Sequence, residues 1–216
     1  MTEHVFEPMR RAMVASQLRT TGVNDPRVIA AMGEVARERF VPVERSALAY
    51  ADALVPLGGG RALNPPMALG RMLTEAQLNG DEHVLVIGAA TGYSAALLAR
   101  LAGSVTALEE DEELAAFAKK ALAGTGVALV KGPLAKGYAK SAPYDFILVD
   151  GAVEHLPPAI VGQAADGGRI SLALLDRGVT RLALGRAVAG AFGMTVYADA
   201  EAAVLPGFEK PRGFTF

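Results

Sequence analysis

From His83 onward the chain alternates short apolar runs with amphipathic ones. HVLVIG, SAALLARL, SVTALEE, ELAAFAKKAL, VALVKG and DFILVDG follow one another in that order. Apolar runs of strand length alternating with helix-period segments predict a parallel sheet covered on both faces. Residues 156–175, LPPAIVGQAADGGRISLALL, read as helix, Gly-Gly turn and strand. The tail, residues 180–208, carries two apolar runs separated by small residues and suits a closing antiparallel pair. Ahead of His83 the pattern is helical. Met9, Met13, Val14 and Leu18 are spaced as one helix face that stops at Thr21-Gly22. Asn24-Asp25-Pro26 caps a second helix with Val28, Ile29, Met32 and Val35 as its stripe. The triple glycine at 58–60 breaks structure, as a turn or as a mobile loop over the site, and a helical pattern resumes after Asn64.

Composition narrows the classes. Of 216 residues 51% are apolar, enough for one sizeable core, and the formal charge of -2 gives no electrostatic reason to expect nucleic acid or an anionic membrane as partner. Cysteine is absent, which removes disulfides and thiolate nucleophiles, and His4, His83 and His155 are too few for a His-rich metal site. The first residues lack an apolar signal segment, so a cytoplasmic protein is expected.

The chemistry is expected where the first apolar run meets its helix, in VLVIGAATGYSAALLARL. In an open parallel sheet, ligands lie beyond the carboxyl ends of the strands, and the first strand-to-helix turn brings backbone closest to them. Gly88 and Gly92 sit in that turn. A GxGxxG fingerprint would need glycine at Ala90 and Tyr93, and no Gly-Lys-Ser/Thr follows, so dinucleotide and P-loop chemistry are disfavoured. Glu109 ends the second strand at roughly the 20-residue spacing of a ribose-binding acid. That pairing suits an adenosine ligand. Glu109 to Glu113 also read as the acidic first turn of the next helix.

Several ordered blocks together resemble the protein-L-isoaspartate O-methyltransferase family. MVASQLRTTGVNDPRVIAAMGEVARERFVP is similar to its leading helices, AYADALVPLGGGRALNPPMALGRM to its substrate-side loop, VLVIGAATGYSAALLARL to its first cofactor motif, APYDFILVDGAVEHLPPAIVGQAADGGRI to its fourth strand and beyond, and VLPG to its C-terminal segment. The resemblance implies an α/β, Rossmann-like methyltransferase fold: a mostly parallel seven-stranded sheet flanked by helices, with an N-terminal helical extension. One domain over 1–216 is expected, with N-terminal helices and substrate-side loop in 1–80 and the cofactor-binding core in 81–216. The implied cofactor is S-adenosylmethionine and the implied partners are isoaspartyl-containing peptides or proteins. The implied reaction methylates the isoaspartyl α-carboxylate. A carboxylate is already ionised at neutral pH, so orientation is the main task and no acid-base constellation is needed.

The resemblance places the cofactor against Gly88, Ala89, Ala90, Thr91, Gly92 and Glu109, with Asp150 as an added acidic contact or a turn residue. Asn64 is the candidate to orient the acceptor carboxylate. Asn64 before Pro65-Pro66 is also a good helix start, and that capping reading is favoured. His155 is a possible base, though more simply a solvent-facing loop residue, and His83 is structural or exposed. The family pattern is edited at four places. Val86 stands where it carries an acid, Ala90 replaces a glycine and is strained if φ is positive, Asn64 replaces a serine, and Pro133, after Lys131-Gly132, stands where the family has an acidic residue near the adenine amino group. This clustering supports a second expectation, a catalytically inactive or repurposed paralogue that serves as a ligand-binding or interaction module.

Overall fold

The computed structural model describes residues 3–210. A seven-stranded sheet forms the centre, in the order β5-β4-β3-β6-β7-β8-β9, with β3 at His83–Ile87, β4 at Ser104–Glu109, β5 at Ala128–Lys131, β6 at Tyr144–Val153, β7 at Ala164–Asp176, β8 at Val179–Val188 and β9 at Ala191–Asp199. Pairings from β5 through to β7 are parallel, and β8 is antiparallel to both its neighbours. The two closing hairpins turn on Arg177-Gly178 and Ala189-Gly190, with φ of 51°, 80°, 50° and 78°. Two consecutive left-handed residues match the twist of the flanking strands, which explains why the tail closes antiparallel.

Both faces of the parallel strands are buried, as their unbroken apolar runs require. Val84, Val86, Phe146 and Leu148 belong to one core. Leu85, Ile87, Ile147 and Val149, the alternate residues, belong to the other. The first core is closed by α1 (Glu3–Ala12), α2 (Pro26–Glu34), α3 (Pro66–Ala76), α4 (Tyr93–Leu98) and α5 (Glu112–Ala121). The second is closed by α6 (Pro158–Val161) with Leu134, Leu205 and Phe208. A separate two-stranded hairpin, β1 (Val55–Gly58) and β2 (Arg61–Leu63), stands off the main sheet.

Three local readings of the sequence are corrected. The Met9-to-Leu18 stripe continues past α1, but as a π-helical segment over Met13–Leu18 and a 3-10 turn that ends on left-handed Gly22. Gly167-Gly168 is no turn. It lies inside β7, where the register with β6 slips between Tyr144 and Phe146. Asp150 does not end its strand either: β6 runs on to Val153 through an irregular stretch between Leu148 and Ala152, and Asp150 sits in it. Such bulges re-aim side chains.

Candidate functional site

The strand order reverses at β3, and the crevice beyond its carboxyl end is bounded by the 88–92 turn, the end of β4 and the bulge of β6. Gly88 and Gly92 are left-handed, at φ 78° and 100°, and so is Ala90 at 50°. The strain anticipated for an alanine there is present. Gly88 and Ala89 both donate their amides to the Leu108 carbonyl at 3.0 Å, which ties the turn to β4. Thr91 Oγ1 donates to the Phe40 carbonyl at 2.6 Å, so its hydroxyl braces the N-terminal segment. Where a Gly88 side chain would begin, the Leu205 methyls lie at 2.9 and 3.0 Å.

Glu109 is fully buried and saturated with donors. Its Oε2 accepts from the Ala90 amide at 2.7 Å, and Oε1 accepts from the amides of Glu110 at 2.9 Å and Asp111 at 3.0 Å. Arg61 Nη1 donates to Oε1 at 2.8 Å and Nη2 to Oε2 at 3.1 Å. Arg61 is itself buried, at 6% exposure. Two-point guanidinium–carboxylate pairing is the strong form of the ion pair, and burial demands it. The acidic first turn of α5 also exists. Its cap is Asp111, whose side chain accepts from the Leu114 amide at 2.9 Å, so Glu109 is not the helix cap.

On the other side, Asn64 fastens three pieces of chain. Its Nδ2 donates to the Asp150 carbonyl at 3.0 Å and to Asp150 Oδ1 at 2.7 Å, and its Oδ1 accepts from the Ala203 amide at 2.7 Å. The favoured capping role is not what it does: Pro65 caps α3 without a side-chain bond, and Asp52 Oδ1 accepts from the Met67 amide at 3.0 Å instead. Pro66 has no amide to offer an Asn64 cap, and the Met67 amide that remains is taken by Asp52.

Behind Asn64 lies Arg37, fully buried, with Nε donating to the Ala49 carbonyl at 2.6 Å and Nη2 to the Asn64 carbonyl at 2.7 Å. Its guanidinium stacks 4.6 Å from the centre of the Tyr93 ring. Arg37 Nη1, the Tyr93 hydroxyl and the Ser94 hydroxyl have no hydrogen-bond partner among the described residues. Burial pushes the Asp150 carboxyl above its ordinary value, against the opposing pull of the nearby Ser94, Asn64, Arg37 and Arg61. Burial likewise lowers Arg37 and raises Tyr93. Two arginines and two carboxylates thus share one enclosed polar cluster. A cleft of about 450 Å³ lined by Arg10, Arg39, Phe40 and Arg100 among others lies by α4 and α5 and includes none of these residues.

The structure therefore gathers Gly88, Ala90, Glu109, Asn64 and Asp150 around the buried Arg61 side chain at the carboxyl ends of β3, β4 and β6, with Gly92 in the same turn. Ala89 ties the turn to β4, and the Thr91 side chain braces the N-terminal segment. Val86, at the position of a family acid, pairs in register with Ala107 and Leu148 and is fully buried in the core. His155 Nδ1 lies 3.0 Å from the Phe208 carbonyl, so it holds the C-terminal segment, and His83 meets the Tyr144 ring edge-on, with centroids 4.8 Å apart. Sequence reasoning missed Arg61 and Arg37. For Arg61 the usable signal was a lone cation between a glycine run and the Asn64 loop. Arg37 had no comparable signal.

The profile of the family described as Protein-L-isoaspartate(D-aspartate) O-methyltransferase matches residues 9–184. Protein-L-isoaspartate O-methyltransferase 1 of Rhodopseudomonas palustris (strain HaA2) is 42% identical over 181 residues, 82% of this chain and 74% of the relative. Protein-L-isoaspartate O-methyltransferase of Koribacter versatilis (strain Ellin345) is 41% identical over 164 residues, 74% of each chain. Among solved structures, a protein-L-isoaspartate O-methyltransferase superposes with TM-score 0.79 at 22% identity, over 92% of this chain and 66% of its own. This chain thus spans about two thirds of that protein's length. A Plasmodium falciparum structure described under the same enzyme name, in complex with S-adenosyl-L-homocysteine, superposes with TM-score 0.73 at 14% identity, over 91% of this chain and 96% of its own. At these identities the structural likeness establishes the fold.

Proposed function

The chain belongs to the protein-L-isoaspartate O-methyltransferase family, and from that premise we propose that it methylates the α-carboxylate of L-isoaspartyl residues in damaged proteins, a repair reaction. The observation that carries the reading is the placing of Glu109 against the Gly88–Gly92 turn at the sheet's switch point, in a chain 42% identical to a named relative over most of its length. The donor set fits the family's cofactor, S-adenosylmethionine. Arg61 stands in for a ribose diol there, with two adjacent donors on the two oxygens of one buried carboxylate.

When bound, the cofactor supplies a methyl group on a sulfonium: a C–O bond forms to the acceptor carboxylate as the S–C bond breaks, and the electron pair stays on sulfur. No proton has to move, so this chain's residues are asked to bind, orient and exclude water. Glu109 and the 88–92 turn are the seat for the adenosyl end. Asp150, at the opposite wall, offers a second acidic contact. Asn64 is the positioning residue, since it holds the acceptor-side loop to Asp150 and to Ala203. No helix among the described residues is long and apolar enough to cross a membrane. We place the reaction in the cytoplasm, on isoaspartyl-containing peptides or proteins and not on nucleic acid.

Calorimetric titration with S-adenosylhomocysteine, followed by methyl transfer assays on a peptide in its isoaspartyl and aspartyl forms, tests the proposal. Saturable binding with base-labile methylation of the isoaspartyl form alone is expected. Absence of binding at high ligand concentration would overturn it and return the fold to the repurposed-paralogue reading.

A further inference from the structure

The buried pair of Arg61 with Glu109 joins the two halves of the site, and it poses a steric problem for any cofactor. A carboxylate has about four good acceptor positions, and Glu109 already meets three backbone amides and two guanidinium nitrogens. The amides belong to the turn and to the start of α5 and stay where the fold puts them. Only Arg61 can give way. It is mounted where that is feasible, directly after Gly58, Gly59 and Gly60, which are exposed and left-handed at φ 101°, 57° and 76°. Beside Gly58 and Gly60 no atom lies within 4 Å of a notional side chain, and beside Gly59 the one neighbour is Asp111 Oδ2 at 3.8 Å, so the hairpin tip is lightly packed.

A released guanidinium needs a new anion, because leaving it buried and unpaired is expensive. Asp150 is the other carboxylate that feels Arg61, but its Oδ1 is already held by Asn64 and it lies in the field of Arg37. Arg61 stands three residues before Asn64, on the acceptor-side loop. Resting on the methyltransferase reading, the geometry points to Arg61 as a displaceable latch that exchanges partners. It occupies the ribose-binding carboxylate until the cofactor arrives, and then becomes the positioning residue for the acceptor's own carboxylate. Cofactor binding thereby prepares the acceptor site, and binding is ordered, cofactor first.

The latch makes opposite predictions for the two ligands, which loss of structure would not produce. Calorimetry with S-adenosylhomocysteine is run on the wild type, Arg61→Met and Arg61→Lys, alongside KM and kcat for an isoaspartyl peptide. Arg61→Met is expected to bind S-adenosylhomocysteine at least tenfold more tightly and to raise the peptide KM at least tenfold, with a smaller change in kcat. Arg61→Lys, which keeps the charge and loses the two-point grip, falls between, and serves if the methionine variant does not fold. In the wild type alone, saturating S-adenosylhomocysteine should strengthen peptide binding. Wild-type binding that the folded variants do not improve overturns the latch and leaves the methyltransferase reading intact. Tighter cofactor binding with an unchanged peptide KM overturns the partner exchange. Failure of every form to bind overturns the latch together with the reading it rests on.

Discussion

Arg61 and Glu109 form a two-point ion pair across 48 residues of chain, at 2.8 and 3.1 Å, with both side chains buried. Removing one member of such a pair leaves the other charged and enclosed, which costs about 3–5 kcal/mol. Glu109→Gln should therefore lower the unfolding free energy by that order, read as a lower urea midpoint. The double replacement Arg61→Met/Glu109→Leu should recover most of the loss, because an apolar pair needs no desolvation, and should still fail to bind S-adenosylhomocysteine. An unchanged midpoint for Glu109→Gln would show that water reaches the pair.

Asn64 spends its whole amide on holding β6 and the C-terminal segment to the acceptor loop. Asn64→Ala strands the Ala203 amide and one side of Asp150, and a buried group left unpaired costs about 1–3 kcal/mol. Lower stability in urea, with faster proteolytic cleavage near residues 200–210, is the expected outcome. Asn64→Ser restores the family residue yet is too short to bridge both partners, so its stability should resemble that of alanine. A serine variant as stable as the wild type would mean that the clasp is not needed.

The parallel core was legible because burial on both faces writes itself as uninterrupted runs, as in Val84–Ile87 and Phe146–Val149. Glu109 was legible because its place follows from the spacing between one strand's end and the next. Arg61 was not, since its meaning lies in a contact made far along the chain, and a glycine run says that a turn exists without saying where it leans. The bulge that carries Asp150 was hidden for a related reason. DFILVDG looks like a strand with a terminal acid, and only the C-terminal segment beside it, with the Ala152 amide donating to the Ala203 carbonyl at 2.7 Å, draws the strand onward. Asn64-Pro65-Pro66 looked like a cap because local chemistry favours one, and a tertiary demand from Asp150 outweighed it.

Ala90 sits at φ 50°, a conformation that costs an L-residue about 1–2 kcal/mol and glycine almost nothing. The gain from Ala90→Gly is partly offset by the greater freedom of glycine in the unfolded chain, about 0.4–1 kcal/mol. A small net stabilisation is expected, seen as a slightly raised Tm. Gly88→Ala and Gly92→Ala should behave oppositely. A methyl at Gly88 would meet Leu205 at 2.9 Å and one at Gly92 would meet Leu122 at 2.8 Å, each at positive φ. If Ala90→Gly lowers Tm as much as these two do, strain at the turn is not what distinguishes them.

Asp150 gives a pH signature of defined sign. Burial raises its carboxyl above the ordinary value of 3.8, so the folded protein holds that proton more tightly than the unfolded chain does. A raised value contributes stability that is complete below 3.8 and is lost as pH climbs through the folded-state value. Asp150→Asn keeps an acceptor for Asn64 and removes the titration. The difference in unfolding free energy between Asp150→Asn and the wild type should therefore move in favour of the variant as pH rises from about 3.8 toward neutrality, then level off. Urea titrations of both proteins at intervals across that range measure it. Movement toward the wild type instead would show that Arg37 and Arg61 dominate over burial, and that Asp150 is a stabilised carboxylate available to a cationic ligand.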